Sequence, residues 1–544
     1  MKKSVYLFSF LAMSLFTFCE SNDDALGTND NQAKENNIEI NNDVTSLNKR
    51  LDYTNSGVIS ITNNSTSKLL ISSQLTNDLP LVQIAEVNPP TDGNGRTLQA
   101  NHVAVNGNYA YVAYTMSGDD YSGAIDVIDV SDPYKPKLIT SALIANTDIT
   151  SLTYSNGNLI IAGATDIDKD QTLAHPSIVI NMQLSSGLLT DKYTVNNLEG
   201  KVTTDVAANA SSYFAVTGDA GSLFKINSSS KAISGKVDLA DLRSVAISGD
   251  KIVTLSGAKG VNIYNESTLA LQKTFSTSQD VSGAKRTMDF DGTKLLVSEG
   301  YNGLGVYDIN SGAKVQTIGL HDAGGDNVTN AVSVNDGYAF VANGAAGLNV
   351  YKSGSQLSLV GTVGITGSSN YVKSSGNYIY VASGKGGLKI IKMEKPNPTF
   401  ANCSNYGAYN QGQDLILNSN EIKSFSGSTA INSAMINSGG ILTHCGSISV
   451  QNSLILNSGG TFNMRGTLAQ GKYQQQYPTE LIINSNATLQ IEGSVVIWGD
   501  LRLNSGAKIN FIGNDSSITI YGKVTKNSGV TITGNYVDTE NKLK

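Results

Sequence analysis

Charge, cysteine and long apolar runs are all scarce in this sequence. Only 15% of the 544 residues are charged, the formal net charge is −7, and no long basic stretch occurs. Such a chain has no electrostatic attraction to phosphate backbones, so we expect no nucleic-acid partner. Beyond residue 18 there is no run of 18 apolar residues, so the sequence predicts no transmembrane helix there.

The residues that carry most enzyme chemistry are also few. The chain has three cysteines and four histidines, and it lacks the H-E-x-x-H, C-x-x-C and G-x-S-x-G patterns. These absences argue against zinc, haem and a local serine nucleophile. We therefore predict no catalytic residues, and no cofactor apart from the calcium considered below.

What the sequence does contain favours β-structure. It has 54 glycines, 40% apolar residues and many Ser, Thr and Asn residues. This mixture is typical of short strands separated by tight turns. The composition therefore predicts an all-β protein.

The first residues resemble a bacterial lipoprotein signal. Lys2 and Lys3 precede a short apolar stretch at 5–18, and Cys19 is followed by the acidic run ESNDD. The resemblance implies a signal peptide at 1–18, lipid attachment at Cys19, and a Bacteroidetes-type lipoprotein anchored in the outer membrane and exposed at the cell surface. Phe18 departs from the small residue usual before the cysteine, and an ordinary signal peptide is the alternative. The polar composition of 19–78 predicts a flexible tether.

A hairpin motif recurs seven times in the middle of the chain. Each copy alternates apolar and polar residues around a tight turn, which is the strongest short-range hairpin signal. The copies are 103–113, 152–162, 206–217, 245–255, 288–297, 332–342 and 372–382. A second turn, V-x-x-G-x-x-G-L-x-V-Y with close substitutes, follows in the last four copies. Repeats of about 40–50 residues indicate a propeller, so we predict a seven-bladed β-propeller over 79–395.

The last unit has no fourth strand of its own, whereas an unassigned strand, 81–87 (LVQIAEV), precedes the first unit. We predict that this strand closes the ring beside the seventh blade, because closure removes open sheet edges. The segments GNYAYVA at 107–113 and IDVIDVSDPYKPKL at 125–138 resemble the LVIVD-repeat family of β-propellers. The resemblance implies the propeller fold and says little about function.

A second, shorter repeat fills the C-terminal part. Six copies share an Asn-Ser pair between two short strands, with asparagines at Asn418, Asn437, Asn457, Asn484, Asn504 and Asn527. A short strand, a turn and a second strand make one coil of a solenoid. We predict a small β-solenoid of about six coils over 400–544, with the asparagine amides bonded to one another in a ladder.

Several residues are candidate contact residues. Tyr473 and Tyr477 lie on an insertion at 468–480 that either binds a partner or has no role. Trp498 is either a partly buried aromatic or a platform for a sugar. Cys403 and Cys445 are the two cysteines left for a disulfide in an oxidising compartment, with two free thiols as the alternative.

Three alternate aspartates, Asp166, Asp168 and Asp170, could direct carboxylates toward calcium. Gln171 and Ser177 stand where a calcium loop of the EF-hand type needs Gly and Glu, so a solvated acidic loop is the alternative. Long loops at 114–124 and 163–177 should lie on the same rim of the propeller. They favour a displayed binding or adhesion scaffold for a protein or glycan; a polysaccharide-acting enzyme and a structural spacer of the cell envelope are the alternatives.

Overall fold

A computed structural model describes residues 38–59, 61, 79–257, 259–278, 284–320, 327–395 and 406–544. From residue 38 onward the chain forms one compact unit. In this described part, no helix combines the length and the apolar character that a membrane crossing requires. The predicted signal peptide, Cys19 and Cys403 lie outside the described residues, so the predictions about them stay predictions.

The first elements of the chain are short and precede the first complete blade. They are β1 (Ile38–Asn41), α1 (Val44–Leu47), a 3-10 helix (Asn48–Arg50), β2 (Leu51–Asp52), β3 (Gly57–Ile59) and β4 (Leu81–Val87).

Seven antiparallel sheets follow, and the consecutive strands of each blade run in chain order from the inside to the outside; in blade 7 the outer position is taken by β4. Blade 1 comprises β5 (Gln99–Asn106), β6 (Tyr109–Thr115), β7 (Ser122–Asp129) and β8 (Lys137–Ala145). Blade 2 comprises β9 (Thr147–Ser155), β10 (Asn158–Thr165), β11 (Ser177–Ser185) and β12 (Leu188–Asn197). Blade 3 comprises β13 (Thr203–Ala208), β14 (Ser212–Thr217), β15 (Ser222–Asn227) and β16 (Ile233–Asp238). Blades 4 to 7 comprise β17 (Leu242–Ser248), β18 (Lys251–Ser256), β19 (Gly260–Asn265), β20 (Leu271–Phe275); β21 (Met288–Asp291), β22 (Lys294–Ser298), β23 (Leu304–Asp308), β24 (Lys314–Ile318); β25 (Ala331–Asn335), β26 (Tyr338–Ala342), β27 (Leu348–Lys352), β28 (Ser358–Val363); β29 (Tyr371–Ser375), β30 (Tyr378–Ala382) and β31 (Leu388–Met393).

The ring closes as the sequence predicts. The strand β4 pairs antiparallel with β31 and forms the fourth strand of blade 7. Every residue of β4 is buried, and Leu81, Val82, Ile84, Ala85 and Val87 have no exposed surface. Blades 1 and 7 also bond directly, because the N–H groups of Ala100 and Gly384 each donate to the carbonyl oxygen of the other. The seven-bladed propeller is therefore confirmed.

Local turn chemistry explains the blades. In six of them the hairpin between the first two strands turns at a glycine with φ between 56° and 76° (Gly107, Gly157, Gly249, Gly292, Gly337 and Gly376). Positive φ is a conformation that glycine adopts without steric cost. The third blade lacks this glycine, and there the Asn209 side chain accepts the N–H groups of Ser211 and Ser212. An Asx turn thus replaces the glycine turn.

The predicted flexible tether is wrong for residues 38–59, which are folded. The strand β1 pairs with β8 at the outer edge of blade 1, and β2 and β3 both pair with β4. Their apolar content is small, but Ile38, Leu47 and Val58 are buried against the propeller. The polar composition of this segment concealed strands that are stabilised by pairing with blade edges rather than by a core of their own.

The C-terminal part is a solenoid of two parallel sheets, as predicted. Its strands are β32 (Asp414–Leu417), β33 (Ile422–Ile431), β34 (Ser433–Ile436), β35 (Ile441–Val450), β36 (Leu454–Leu456), β37 (Thr461–Gln470), β38 (Glu480–Ile483), β39 (Thr488–Ile497), β40 (Asp500–Leu503), β41 (Lys508–Phe511), β42 (Ser517–Ile520), β43 (Val524–Lys526), β44 (Thr531–Thr533) and β45 (Val537–Asp538). One sheet stacks β32, β34, β36, β38, β40 and β43, and the other stacks the strands that follow them.

An asparagine ladder runs along the corner between the two sheets. The Nδ2 groups of Asn457, Asn484, Asn504 and Asn527 each donate to the Oδ1 of the asparagine one coil earlier, at 2.9, 3.1, 2.7 and 3.0 Å. Stacking identical turns at the spacing of adjacent strands makes these bonds possible. At the first coil, Glu421 accepts the backbone N–H of Asn418 at 2.8 Å. The predicted ladder is therefore present from Asn437 to Asn527.

The solenoid packs against the propeller and the N-terminal segment. The Val58 N–H donates to the Gly471 carbonyl, and the Tyr473 N–H donates to the Ser56 carbonyl, both at 2.9 Å. Ala469, Val496 and Trp498 of the solenoid belong to the same apolar core as residues of blades 1 and 7. The two repeat domains therefore share a continuous core, with residues 38–59 between them.

His444 makes the stability of the solenoid dependent on pH. Its ring is fully buried, its Nε2 lies 2.9 Å from Thr429 Oγ1, and burial lowers the pKa of the imidazole to about 4. The unfolded chain, with a pKa near 6.5, binds a proton that the folded chain excludes. We expect about 3 kcal/mol of folding free energy to be lost as the pH falls from 6.5 to 4.

The measurement is urea unfolding of the chain and of His444→Met between pH 4 and 7. Methionine suits the site because Met464 occupies the same place in the next coil. Burial also lowers the pKa of His102, so the informative quantity is the difference between the two proteins. Parallel stability curves for the two would contradict the prediction.

Candidate functional site

The axial channel of the propeller brings together ionisable side chains from four blades. Its walls are the innermost strands, and a cavity of about 260 Å³ lies between them. The side chains that line this cavity include His102, Asp205, Ser244, Tyr371 and Lys373. Each of these residues except Lys373 immediately precedes a hairpin motif. The repeat therefore places them at the same height along the axis of the channel.

Side chains on the inner strands bond one blade to the next. His102 Nδ1 accepts the N–H of Leu152 at 3.2 Å, Asp205 Oδ2 accepts that of Val245 at 3.0 Å, and Thr287 Oγ1 accepts that of Val332 at 3.2 Å. Asp289 accepts the N–H of Val334, and Ser333 accepts the N–H of Ser374, which again lie in the following blade. Both acceptors stand two residues further along the inner strand than the first set. These interblade bonds satisfy backbone donors that face the channel.

A serine, a histidine and an aspartate meet in the channel, but not as a catalytic triad. Because His102 Nδ1 accepts a backbone N–H, the ring proton lies on Nε2, which is 3.2 Å from Ser151 Oγ. The Ser151 hydroxyl in turn donates to Asp205 Oδ1 at 2.6 Å. A nucleophilic serine requires a histidine that accepts the hydroxyl proton. Here the histidine donates, so Ser151 is not activated.

The environment of His102 reinforces this arrangement. Its ring is buried against Tyr371, with the ring centroids 3.9 Å apart. Burial, Lys285 and Lys373 all lower the pKa of the imidazole well below its usual value. His102 is therefore neutral at physiological pH and serves as a hydrogen-bonding element between blades 1 and 2.

Lys285 crosses the channel from blade 5. Its Nζ donates to the carbonyl oxygens of Asn101, at 3.1 Å, and of Thr150, which belong to blades 1 and 2. It also lies 5.4 Å from the centre of the Tyr371 ring. Burial lowers the pKa of the Lys285 ammonium to about 8, and Asp205 opposes this effect. These bonds lie at the rim where the inner strands begin.

Two polar groups at the cavity have no partner among the described residues. Lys373 forms no hydrogen bond or ion pair there, although it is close enough to Asp289 to oppose the rise that burial causes in the pKa of that carboxyl. Ser244 is 2% exposed, and its hydroxyl makes no hydrogen bond. Sequence reasoning missed Lys373, but a signal exists: the same place in other copies of the motif holds Ala104 or Ser333.

The predicted calcium site has no support in the geometry. Asp166 Oδ1 accepts the N–H of Asp168, and Asp170 Oδ1 accepts the N–H and hydroxyl of Thr172. Within the described residues, no group of three or more His, Cys, Asp or Glu residues is arranged to hold a metal. The aspartates instead shape the loop through local Asx turns.

The two predicted contact tyrosines lie in different surroundings. Tyr473 is half-buried and meets Tyr521 edge-on, with ring centroids 6.1 Å apart, whereas Tyr477 is 82% exposed. Trp498 has no exposed surface, which excludes a sugar platform. Of these three aromatic residues, Tyr477 alone presents its ring to solvent.

Cys445 is buried and takes part in a disulfide. Its predicted partner, Cys403, lies outside the described residues. The assignment of this pair therefore stays a prediction.

Comparison with known proteins gives one family match. The LVIVD repeat model matches residues 99–143 and 366–399, which fall on blades 1 and 7. Similar solved structures include a chain of a mitotic checkpoint complex (13% identity, TM-score 0.43, 61% of this chain and 96% of that chain). They also include the WD40 β-propeller domain of Doa1 (11%, 0.43, 58% and 97%) and the computationally designed Ika8 protein (12%, 0.38, 61% and 96%). None of the curated proteins matches this chain.

Proposed function

We propose that this protein is a lipid-anchored binding or adhesion scaffold, displayed at the outer surface of the cell and without catalytic activity. The lipoprotein-like signal at 1–18 and the acidic run after Cys19 support the anchor and the display. The closed propeller, extended by a solenoid through a shared core, supports a rigid scaffold. Its ligand is a protein or a glycan at the cell exterior.

The extended hairpins of blades 1 and 2 are the observation that carries this proposal. The connections at 116–121 and 166–176 each join the second and third strands of a blade, so both leave the same rim of the ring. In blades 5 to 7 the same connection has five residues, as at 299–303, so the connection of blade 2 is much longer and that of blade 1 is not. In blade 1 the hairpin is extended by its strands instead, since β6 and β7 have seven and eight residues where β22 and β23 have five each. The hairpins of blades 1 and 2 thus extend this rim.

Hydrogen bonds and ion pairs to neighbouring segments hold both connections in place. The Asp166 N–H donates to the Asn146 carbonyl at 2.9 Å, and Asn197 Oδ1 accepts the N–H groups of Ala174 and His175. Arg96 bonds both Asp92 and Asp120 at the base of the first loop. Pre-ordering reduces the entropy lost on binding, which suits these loops to recognition.

The channel supports the absence of catalysis. Among the described residues, the group most like hydrolytic machinery is formed by Ser151, His102 and Asp205. Their hydrogen bonds link one blade to the next and leave the Ser151 hydroxyl without a histidine base. Removing any of them should reduce stability rather than a turnover rate.

The test is an array of glycans and of host-surface proteins, probed with residues 38–544. The protein begins at residue 38 because β1 to β3 are part of the folded unit. We expect specific binding that falls about tenfold or more when 167–174 is replaced by a short Gly-Ser turn. Ile422→Ala, at an exposed apolar residue of the solenoid, is the matched control and should bind as the wild type does.

Two results would contradict the proposal. One is release of product from a polysaccharide panel, which would indicate an enzyme. The other is the absence of any specific binding on the array, which would favour a structural spacer.

A further inference from the structure

We propose that the channel cavity is a binding site for a small organic carboxylate, held by the Lys373 ammonium and the Ser244 hydroxyl. This site lies inside the ring and is separate from the long loops on the rim. It therefore stands independently of the function proposed above.

The acceptors in the channel walls are already used. Asp205 accepts the Ser151 hydroxyl and the N–H groups of Val206 and Val245. Asp289 accepts the N–H groups of Phe290 and Val334. The protein itself therefore satisfies these carboxylates, and the groups that remain free to bond toward the cavity are mainly hydrogen-bond donors. A ligand rich in hydrogen-bond acceptors would complement them.

Lys373 supplies the charge for such a ligand. It lines the cavity without a hydrogen bond or an ion pair to any described residue. An ammonium in this position offers three donors and a full positive charge, and a carboxylate oxygen is its strongest common partner.

Ser244 marks where the ligand sits. It occupies, in blade 4, the place from which His102, Asp205 and Thr287 bond to the next blade. At this joint the bond is missing, and the hydroxyl is buried without a partner beside the cavity. Leaving a buried hydroxyl unpaired is unfavourable. A ligand oxygen between blades 4 and 5 would satisfy it.

The dimensions limit the size of the ligand. The cavity is about 260 Å³, which is below the range of about 300–1,000 Å³ for drug-sized ligands. Lys285 reaches blades 1 and 2 at one end of the channel, which narrows the channel there. The site therefore suits a single small molecule, such as a uronic acid or a short hydroxy acid.

The test is isothermal titration of residues 38–544 with glucuronate and with lactate as separate probes. Glucose is the uncharged match to glucuronate, and inorganic phosphate is the non-carboxylate anion. We expect one or both carboxylates to bind and glucose and phosphate not to bind. Binding of glucuronate alone would indicate a sugar acid, and binding of lactate would indicate a small hydroxy acid.

Two substitutions locate the site. Lys373→Met keeps most of the side-chain volume and removes the charge, so affinity should fall about 10-fold to 100-fold. Lys385→Met, at an exposed lysine of the same blade, is the control and should leave affinity unchanged. Ser244→Ala should weaken binding without lowering the melting temperature, because its hydroxyl has no partner to lose.

The proposal is overturned if neither carboxylate binds at millimolar concentration, if Lys373→Met binds as the wild type does, or if glucose or phosphate binds equally well. The binding of the rim loops to their own ligand would be unaffected by any of these results. The failure of this proposal and that of the proposed function can therefore be told apart.

Discussion

We expect the substitution Arg50→Ala to lower the free energy of unfolding by about 3–5 kcal/mol. The two guanidinium nitrogens of Arg50 donate to the two carboxylate oxygens of Asp126, with Nη1 at 3.0 Å. The Asp126 side chain has no exposed surface, whereas that of Arg50 is 19% exposed. Truncating the arginine leaves a buried carboxylate without its partner, which is the costly way to break an ion pair.

A double-mutant cycle with Asp126→Asn isolates this interaction, and urea unfolding measures it. The double variant should recover part of the loss, because no unpaired charge remains. Lys201→Ala is the control, since its partner Asp219 is as exposed as the lysine itself, and it should change stability by less than about 0.5 kcal/mol. An Arg50→Ala variant as stable as this control would show that residues 38–59 contribute little to the fold.

The second large effect is expected from Trp498→Ala, which should lower the free energy of unfolding by about 3–5 kcal/mol. The indole is fully buried between the two domains. It stacks on Tyr521 with ring centroids 4.4 Å apart, and Tyr134 of the propeller meets it edge-on at 6.4 Å. A cavity at this point removes the centre of the shared core.

Calorimetry distinguishes a local from a global effect of this substitution. We expect the wild type to unfold in one transition and Trp498→Ala to unfold in two, as the solenoid and the propeller lose their coupling. Trp498→Phe should keep one transition, because a ring still stacks and the indole N–H has no partner to lose. Two transitions already present in the wild type would show that the shared core does not couple the domains.

Most of the fold could be predicted because its signals are local. A glycine turn between alternating strands, as at Gly107 or Gly376, specifies a hairpin within about a dozen residues. The Asn-Ser pair specifies a solenoid corner in the same way, and repetition of each unit implies the architecture. Even the closing strand could be deduced, since 81–87 was left over and blade 7 lacked an edge.

The segment 38–59 could not be predicted, because its strands are short and mostly polar. Ile38–Asn41 and Leu51–Asp52 are too brief to show alternation, and their bonding partners belong to blades that come later in the chain. Only the tertiary structure reveals that these residues cover the outer edges of blades 1 and 7. The composition therefore predicted a flexible tether where the chain forms short strands along the edges of two blades.

The channel was missed for a related reason. His102, Asp205, Lys285 and Lys373 belong to different blades, and no spacing in the sequence announces that they meet. Aligning the repeats against one another would have helped, because it shows a lysine where all the other motifs except that of Asp289 carry a small residue. By contrast, Asp166, Asp168 and Asp170 formed a local pattern, and in the structure Asp166 and Asp170 accept N–H groups within the turns of the loop.

The closing strand also sets the order of events during biogenesis. Glu86 and Lys389 form a buried ion pair although they are 303 positions apart. Until the seventh blade has been synthesised, the edge of Leu81–Val87 that pairs with β31 has no partner, whereas β2 and β3 pair with its other edge. An open apolar edge of this kind promotes aggregation. This edge stays open through nearly the whole of that interval. Closure of the ring thus waits for synthesis of the seventh blade.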